Sequence, residues 1–258
     1  MKTSATKALF LITAVILLVT LACGSSDNTS DTPSGTTSED TTIGSEVVTE
    51  APVEAVETAE PVEVVSSPWY LEEFDTNLDN WFEFYFTSES DEEYEDETNV
   101  YVDGGGVWFD INLEDTYIYL FNENFTYEDV SIEFEVENTG PHNSQYINLV
   151  CRYTPDEGWY EFSVAASGAV SLWKYSFDDG YILIEEGGST YIKQGNETND
   201  YKMVCQGNEL SLYINGERWQ NKAFRDSTYR DGYIGISAGS MNVTPIEVVI
   251  NWVEISEP

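Results

Sequence analysis

The sequence predicts an all-β sandwich of two antiparallel sheets over residues 68–258, carried behind an export signal and an acidic tether. Three observations lead there. No apolar stripe of helical period persists beyond about two turns. Short runs of alternating apolar and polar residues recur instead, broken by Gly, Asn, Asp and Pro clusters about every 8–12 residues, the spacing of a sandwich. Aromatic residues form 14% of the chain, with tyrosine foremost, and such rings favour a pleated surface.

At the N-terminus, Lys2 and Lys7 precede an apolar run, "ALFLITAVILLVTLA" at 8–22, which is shorter than the ~20 residues of a membrane span. The run ends in "VTLACGSSD". This resembles the lipobox of bacterial lipoproteins: Ala22 and Cys23 fit, while Thr20 and Leu21 stand in the reverse of the usual order. The resemblance implies a signal peptide at 1–22 and lipidation, such as palmitate, at Cys23, holding the protein extracytoplasmically on the bacterial cell membrane. The alternative is a secretory signal cleaved near Ala22. Residues 24–67 hold no Lys, Arg, Trp, Tyr or Phe, and Ser, Thr, Pro and Glu dominate them. Such a segment buries too little apolar surface to offset its ordering entropy, so 23–67 reads as a disordered membrane tether. Pro52 and Pro61 exclude a continuous helix across it.

Composition changes at Pro68-Trp69. Candidate strands follow at 69–74, 82–87, 99–103, 106–111, 116–121, 129–137, 145–153 and 158–165. Further candidates are 169–176, 181–185, 190–193, 200–206, 209–215, 217–223, 232–238 and 245–255. Asn215-Gly216, between alternating runs, is a type I′ hairpin signature, with Leu210, Leu212 and Ile214 facing inward. "SESDEEYEDETN" at 88–99 reads as a mobile solvated loop.

"YLEEFDTNLDNW", "LVCRYTPDEGWYEFSV", "SLWKY", "YKMVCQGNELSLYINGE", "DGYIGISAG" and "INWVEISEP" resemble bacterial envelope proteins with a concanavalin A-like, laminin-G-type jelly roll. Domains of this kind are often labelled as family 16 glycosidases or 3-keto-disaccharide hydrolases. The resemblance covers most of residues 69–258 and implies a jelly-roll sandwich with one concave sheet on which sugars bind. It speaks to fold, not activity.

Cys151 and Cys205 sit on strands at inward positions. In an exported chain their even number favours a disulfide over two buried thiols. With His142 the only histidine, zinc of the usual kind is excluded. Asp75, Asn77 and Asp79 are spaced like the start of a calcium loop, but Asn80 and Phe86 stand where Gly and Glu belong. An EF-hand is rejected and at most one structural Ca²⁺ near Asp75 is left. No other cofactor is expected.

Ten basic against 48 acidic residues give a net charge of −38, which repels phosphate backbones and argues against nucleic acid. In 158–175, Tyr160, Phe162, Val164, Val170 and Leu172 form one alternate set, expected in the core. The other set places Trp159, Glu161, Trp173 and Tyr175 on the opposite face, where Asn148 and Arg152 of the preceding strand join them. Aromatic rings stack on pyranose C–H faces while Arg, Asn and Glu satisfy hydroxyls, so these six residues are the expected carbohydrate-binding site for a polysaccharide or oligosaccharide. The competing reading covers the two indoles with a loop and leaves Arg152–Glu161 as a surface ion pair. Glu133, Glu135 and Glu137 resemble the Glu-x-Asp-x-Glu strand of family 16 glycosidases, with Glu135 in place of Asp. Alternation favours a solvated polar face there. The expected function is a non-catalytic lectin-like module, with a sugar-cleaving enzyme or a structural or adhesion module as alternatives.

Overall fold

A computed structural model of the chain describes residues 67–75 and 77–258. The signal at 1–22, Cys23 and the tether up to residue 66 lie outside the described residues. Strands β1 (Tyr70–Glu72) and β2 (Trp81–Phe86) precede helix α1 (Asp91–Glu97), then β3 (Thr98–Asp103), β4 (Gly106–Ile111), β5 (Thr116–Tyr127) and β6 (Val130–Asn138). The central run is β7 (Tyr146–Thr154), β8 (Gly158–Ala165), β9 (Ala169–Ser176) and β10 (Gly180–Gly188). Then come β11 (Thr198–Gln206), β12 (Glu209–Ile214), β13 (Glu217–Arg218), β14 (Phe224–Arg225), β15 (Gly232–Ser240) and β16 (Ile246–Ser256).

These strands form two sheets, antiparallel throughout. The seven-stranded sheet runs β10–β9–β8–β7–β15–β5–β2. The nine-stranded sheet runs β13–β12–β11–β6–β16–β4–β3, with β1 beside β16 and β14 beside β12. Between them lies the main core. Phe134, Tyr201, Met203, Leu212 and Ile250 enter it from one sheet, and Leu120, Leu149, Phe162, Leu172 and Ile236 from the other. Cys151 on β7 and Cys205 on β11 are joined across it as a disulfide. The β12–β13 hairpin turns at Asn215 (φ 50°) and Gly216 (φ 82°), the positive-φ pair that a type I′ turn needs.

Three segments depart from the sequence expectation. Residues 88–99 are not a mobile loop, because they contain α1. Ser90 caps that helix by accepting from Glu93 N (3.3 Å), and the Ser-x-x-Glu spacing is a capping signature. Three acids then occupy the first turn, where the helix dipole favours them. Tyr94 anchors the helix, stacked on Tyr85 at 3.7 Å and donating to Glu83 (2.8 Å). Residues 190–193 form no strand: Ile192 is buried in the main core, and the Lys193 backbone bonds the Asn199 side chain instead of a ladder. The strand expected at 217–223 stops at Arg218. Trp219 turns inward onto Phe162 and Phe224 and donates to Gly188 O (3.2 Å), which forces Gln220 and Asn221 to φ near 50°.

Candidate functional site

The outer face of the seven-stranded sheet holds a second hydrophobic cluster, separate from the main core. Tyr119 and Phe121 of β5, Val150 and Tyr153 of β7 and Trp159 of β8 are buried there. Phe84 and Phe86 of β2, Tyr117, Tyr175 and Tyr233 pack over them. Both alternate sets of "YIYLF" in β5 are apolar, and β7 and β8 are buried on both faces. Register aligns the face: Trp159 lies opposite Tyr175, Glu161 opposite Trp173, and Asn148 opposite Ser163. Across the next hairpin Tyr175 meets Tyr181, and Trp173 meets Leu183.

Four of the six expected binding residues, Asn148, Glu161, Trp173 and Tyr175, share this face with access or polar capacity left. Trp159 is on the face but has 0% exposure. Tyr175 stacks on it at 4.2 Å, and Phe84, Phe86 and Phe177 close the rest, so no sugar ring can lie against it. The covering groups are rings of neighbouring strands and of the short β9–β10 turn, not the long loop of the competing reading. Arg152 leaves the face. The β7–β8 and β7–β15 registers both slip here, and Arg152 adopts φ 56°. The bulge puts Tyr153 into the outward phase and turns the guanidinium into the loops. There it donates to Glu128 O (2.7 and 3.1 Å), Tyr229 O (3.1 Å) and Gly207 O (2.8 Å). Its nearest carboxylate is Asp129 at 3.6 Å, so the Arg152–Glu161 pair of the competing reading is not formed either.

Glu161 is the chemical centre of the face. It is 3% exposed, and its Oε2 accepts from Tyr119 Oη (2.8 Å) and Trp159 Nε1 (3.0 Å). Tyr181 in turn donates to the Tyr119 oxygen (2.8 Å). Burial raises the Glu161 pKa to about 7, against the lowering effect of the two hydrogen bonds. Burial likewise pushes the Tyr119 and Tyr181 phenols well above their ordinary value. The Tyr181 ring is nevertheless 42% exposed, because only its hydroxyl reaches inward. Asn148 donates to Ser237 Oγ (3.0 Å) and leaves its Oδ1 buried without a partner.

Beside this centre the β9–β10 hairpin presents an apolar platform. Phe177, Tyr181 and Leu183 are exposed, and Trp173 and Tyr175 are partly so. Trp173 meets Tyr181 edge-on at 6.0 Å. Sequence reasoning missed Tyr181, Phe177 and Tyr119. The Asp-Asp-Gly turn after Phe177 is the signal for the first, since it places Tyr181 opposite Tyr175.

The other candidates lie elsewhere. Glu133, Glu135 and Glu137 are on the outer side of β6, in the nine-stranded sheet. Glu133 pairs with Lys202 (2.9 Å) and Glu135 accepts from Asn251 (2.8 Å), as a polar face does. Asp75 lies in an exposed turn, and among the described residues no group of three or more His, Cys, Asp or Glu is placed to hold a metal.

The fold is therefore a concanavalin A-like jelly-roll sandwich with an aromatic-covered outer sheet face. Among solved structures it is similar to a galectin-like-fold protein from Bacillus subtilis (TM-score 0.54, 12% identity, covering 73% of this chain and 94% of that one). It is similar to a Bacillus licheniformis β-glucanase (TM-score 0.52, 14% identity, 75% and 100% covered). It is also similar to the family 66 carbohydrate-binding module of Bacillus subtilis (TM-score 0.51, 15% identity, 62% and 92% covered). No family model matches the sequence, and no curated protein is significantly similar to it.

Proposed function

We propose that the domain is a non-catalytic carbohydrate-recognition module that displays the β9–β10 platform to glycan. In this reading Cys23 carries lipid and residues 24–67 hold the sandwich off the outer side of a bacterial membrane. The observation that carries it is the group of exposed Phe177 and Tyr181 with partly exposed Trp173 and Tyr175, beside one under-used acceptor, Glu161. Large aromatic surface kept in water is costly unless something covers it, and sugar C–H faces suit it. Two of the similar folds bear the names of a carbohydrate-binding module and a β-glucanase, which supports a saccharide partner.

A second reading, glycoside cleavage, draws on the raised pKa of Glu161, the property of a general acid at neutral pH. Hydrolysis needs a second carboxyl about 5–5.5 Å away for retention. Such a neighbour would raise the Glu161 pKa through its charge, yet the rise here comes from burial. Among the described residues no carboxylate charge contributes to the Glu161 shift, which supports recognition over turnover. The test is a glycan array with wild-type protein and the Trp173→Ala variant, followed by assay of new reducing ends. Retention of a glycan by the wild type and its loss in a folded Trp173→Ala supports the module. Retention that survives the substitution removes the platform, and release of reducing ends favours the enzyme.

A further inference from the structure

We infer that the ligand of this face carries a protonated amine: the site fits an amino sugar whose ammonium group meets Glu161 Oε1 while its ring lies on Trp173. The inference rests on the carbohydrate reading above and narrows it to a substrate class.

The first argument is the inventory of hydrogen-bonding groups. Both donors to Glu161, Tyr119 and Trp159, are spent on Oε2. Oε1 has no partner among the described residues, and unlike Asn148 Oδ1 it is not sealed from solvent. The one unfilled group open to a ligand, Glu161 Oε1, is an acceptor, so the ligand must bring donors, and an ammonium brings three.

The second argument is charge. The groups facing Glu161 are Tyr117 and Tyr119 from β5, Asn148 and Val150 from β7, Trp173 from β9, Tyr181 from β10 and Ser237 from β15. None is basic. The five ion pairs of the described residues, centred on Arg152, Lys174, Lys202, Lys222 and Arg225, all leave Glu161 out. A buried carboxylate without a cation is costly, and a ligand cation supplies the missing partner. The rings of Trp173 and Tyr181 attract a cation through their faces. At longer range a chain of net charge −38 draws polycationic glycan and repels uronic acids.

The experiment is calorimetric titration of the full-length protein with three soluble oligomers of equal length: β-1,4-linked glucosamine, N-acetylglucosamine and glucose. The glucosamine oligomer is expected to bind about tenfold or more tightly than either neutral one, the worth of one charge-assisted hydrogen bond. Glu161→Gln keeps an acceptor for Tyr119 and Trp159 and is expected to remove that preference. A second readout needs no variant. At pH 6, below the Glu161 pKa of about 7, an already protonated amine displaces the carboxyl proton. The glucosamine heat therefore varies with the ionisation enthalpy of the buffer, while the neutral oligomers show no such dependence. Equal binding of all three oligomers, or a preference that persists in Glu161→Gln, overturns the amine and leaves the carbohydrate reading standing. Binding of none by the wild type overturns both.

Discussion

Trp159→Ala separates a sealed indole from a ligand-bearing one. The side chain has no exposed area and packs on Tyr119, Phe121, Tyr153 and Tyr175 at centroid distances of 4.2–5.8 Å. Truncating a buried Trp costs about 3–5 kcal/mol, because the lost transfer energy and the cavity add. The change also strips one of two donors from Glu161 Oε2, a bond to a charged group worth about 1.5–3 kcal/mol. The two losses overlap, and a total of about 4–6 kcal/mol is a large share of the ~5–15 kcal/mol that holds a typical domain. At roughly 2–4 °C per kcal/mol for a domain of this size, the melting temperature falls by about 10–20 °C. Trp173→Ala, on a partly exposed ring, costs about 1 kcal/mol. Urea titration of both variants, read by far-UV circular dichroism, gives the comparison. If the Trp159→Ala loss came within about 1 kcal/mol of the Trp173→Ala loss, the sealed aromatic layer would be wrong.

Other consequences are open to direct measurement. The Cys151–Cys205 bond closes a separation of 54 residues, and the loop-entropy relation assigns it about 4 kcal/mol, so Cys151→Ala/Cys205→Ala should lower the urea midpoint accordingly. An unchanged midpoint would show that the bond constrains nothing. Glu161 moves from 4.5 to about 7 on folding, so the folded state favours its neutral form. At about 1.4 kcal/mol per pH unit, its contribution is present below pH ~4.5, falls by about 3 kcal/mol as the pH rises to ~7, and is flat above that. Glu161→Gln should lose that slope, so the wild-type-minus-variant difference should itself fall by about 3 kcal/mol between pH ~4.5 and ~7, and a difference flat in pH would assign the slope to another group. Cys23→Ser should release the protein from membranes on fractionation, and continued membrane association would remove the lipid anchor.

Much of the fold was legible because alternation and turn chemistry agree. Residues 158–165 and 169–176 were read at the bounds the structure gives, since Ser167-Gly168 breaks two unbroken alternating runs. The site was legible only in part, and the reason is phase. A period of two carries Arg152 onto the Trp159 face only if β7 is regular, and a bulge leaves little trace in "VCRYT". Its clearest mark lies on the partner strand. Gly232 has φ 149°, and a Cβ there would sit 2.5 Å from Tyr153 O, so only glycine allows the approach. The helix at 91–97 was hidden by its charge, because a run of acids reads as solvated until Ser90 and Glu93 are seen as a cap.

The second aromatic layer changes what Glu161 means. "YIYLF" in β5 is apolar on both alternate sets, the pattern of a strand buried on two sides, and the rings of one strand roof the next. Inside such a layer an apolar side chain would cost nothing to bury, whereas a carboxyl raised to a pKa near 7 takes stability from the fold at neutral pH. Its two donors soften that cost without removing it, since burial still outweighs both. Nothing in the packing requires the charge: Trp159 and Tyr119 need only an acceptor, and an amide would serve them. A group that breaks the local apolar pattern at a net cost, next to exposed rings, is where sequence economy points to a ligand.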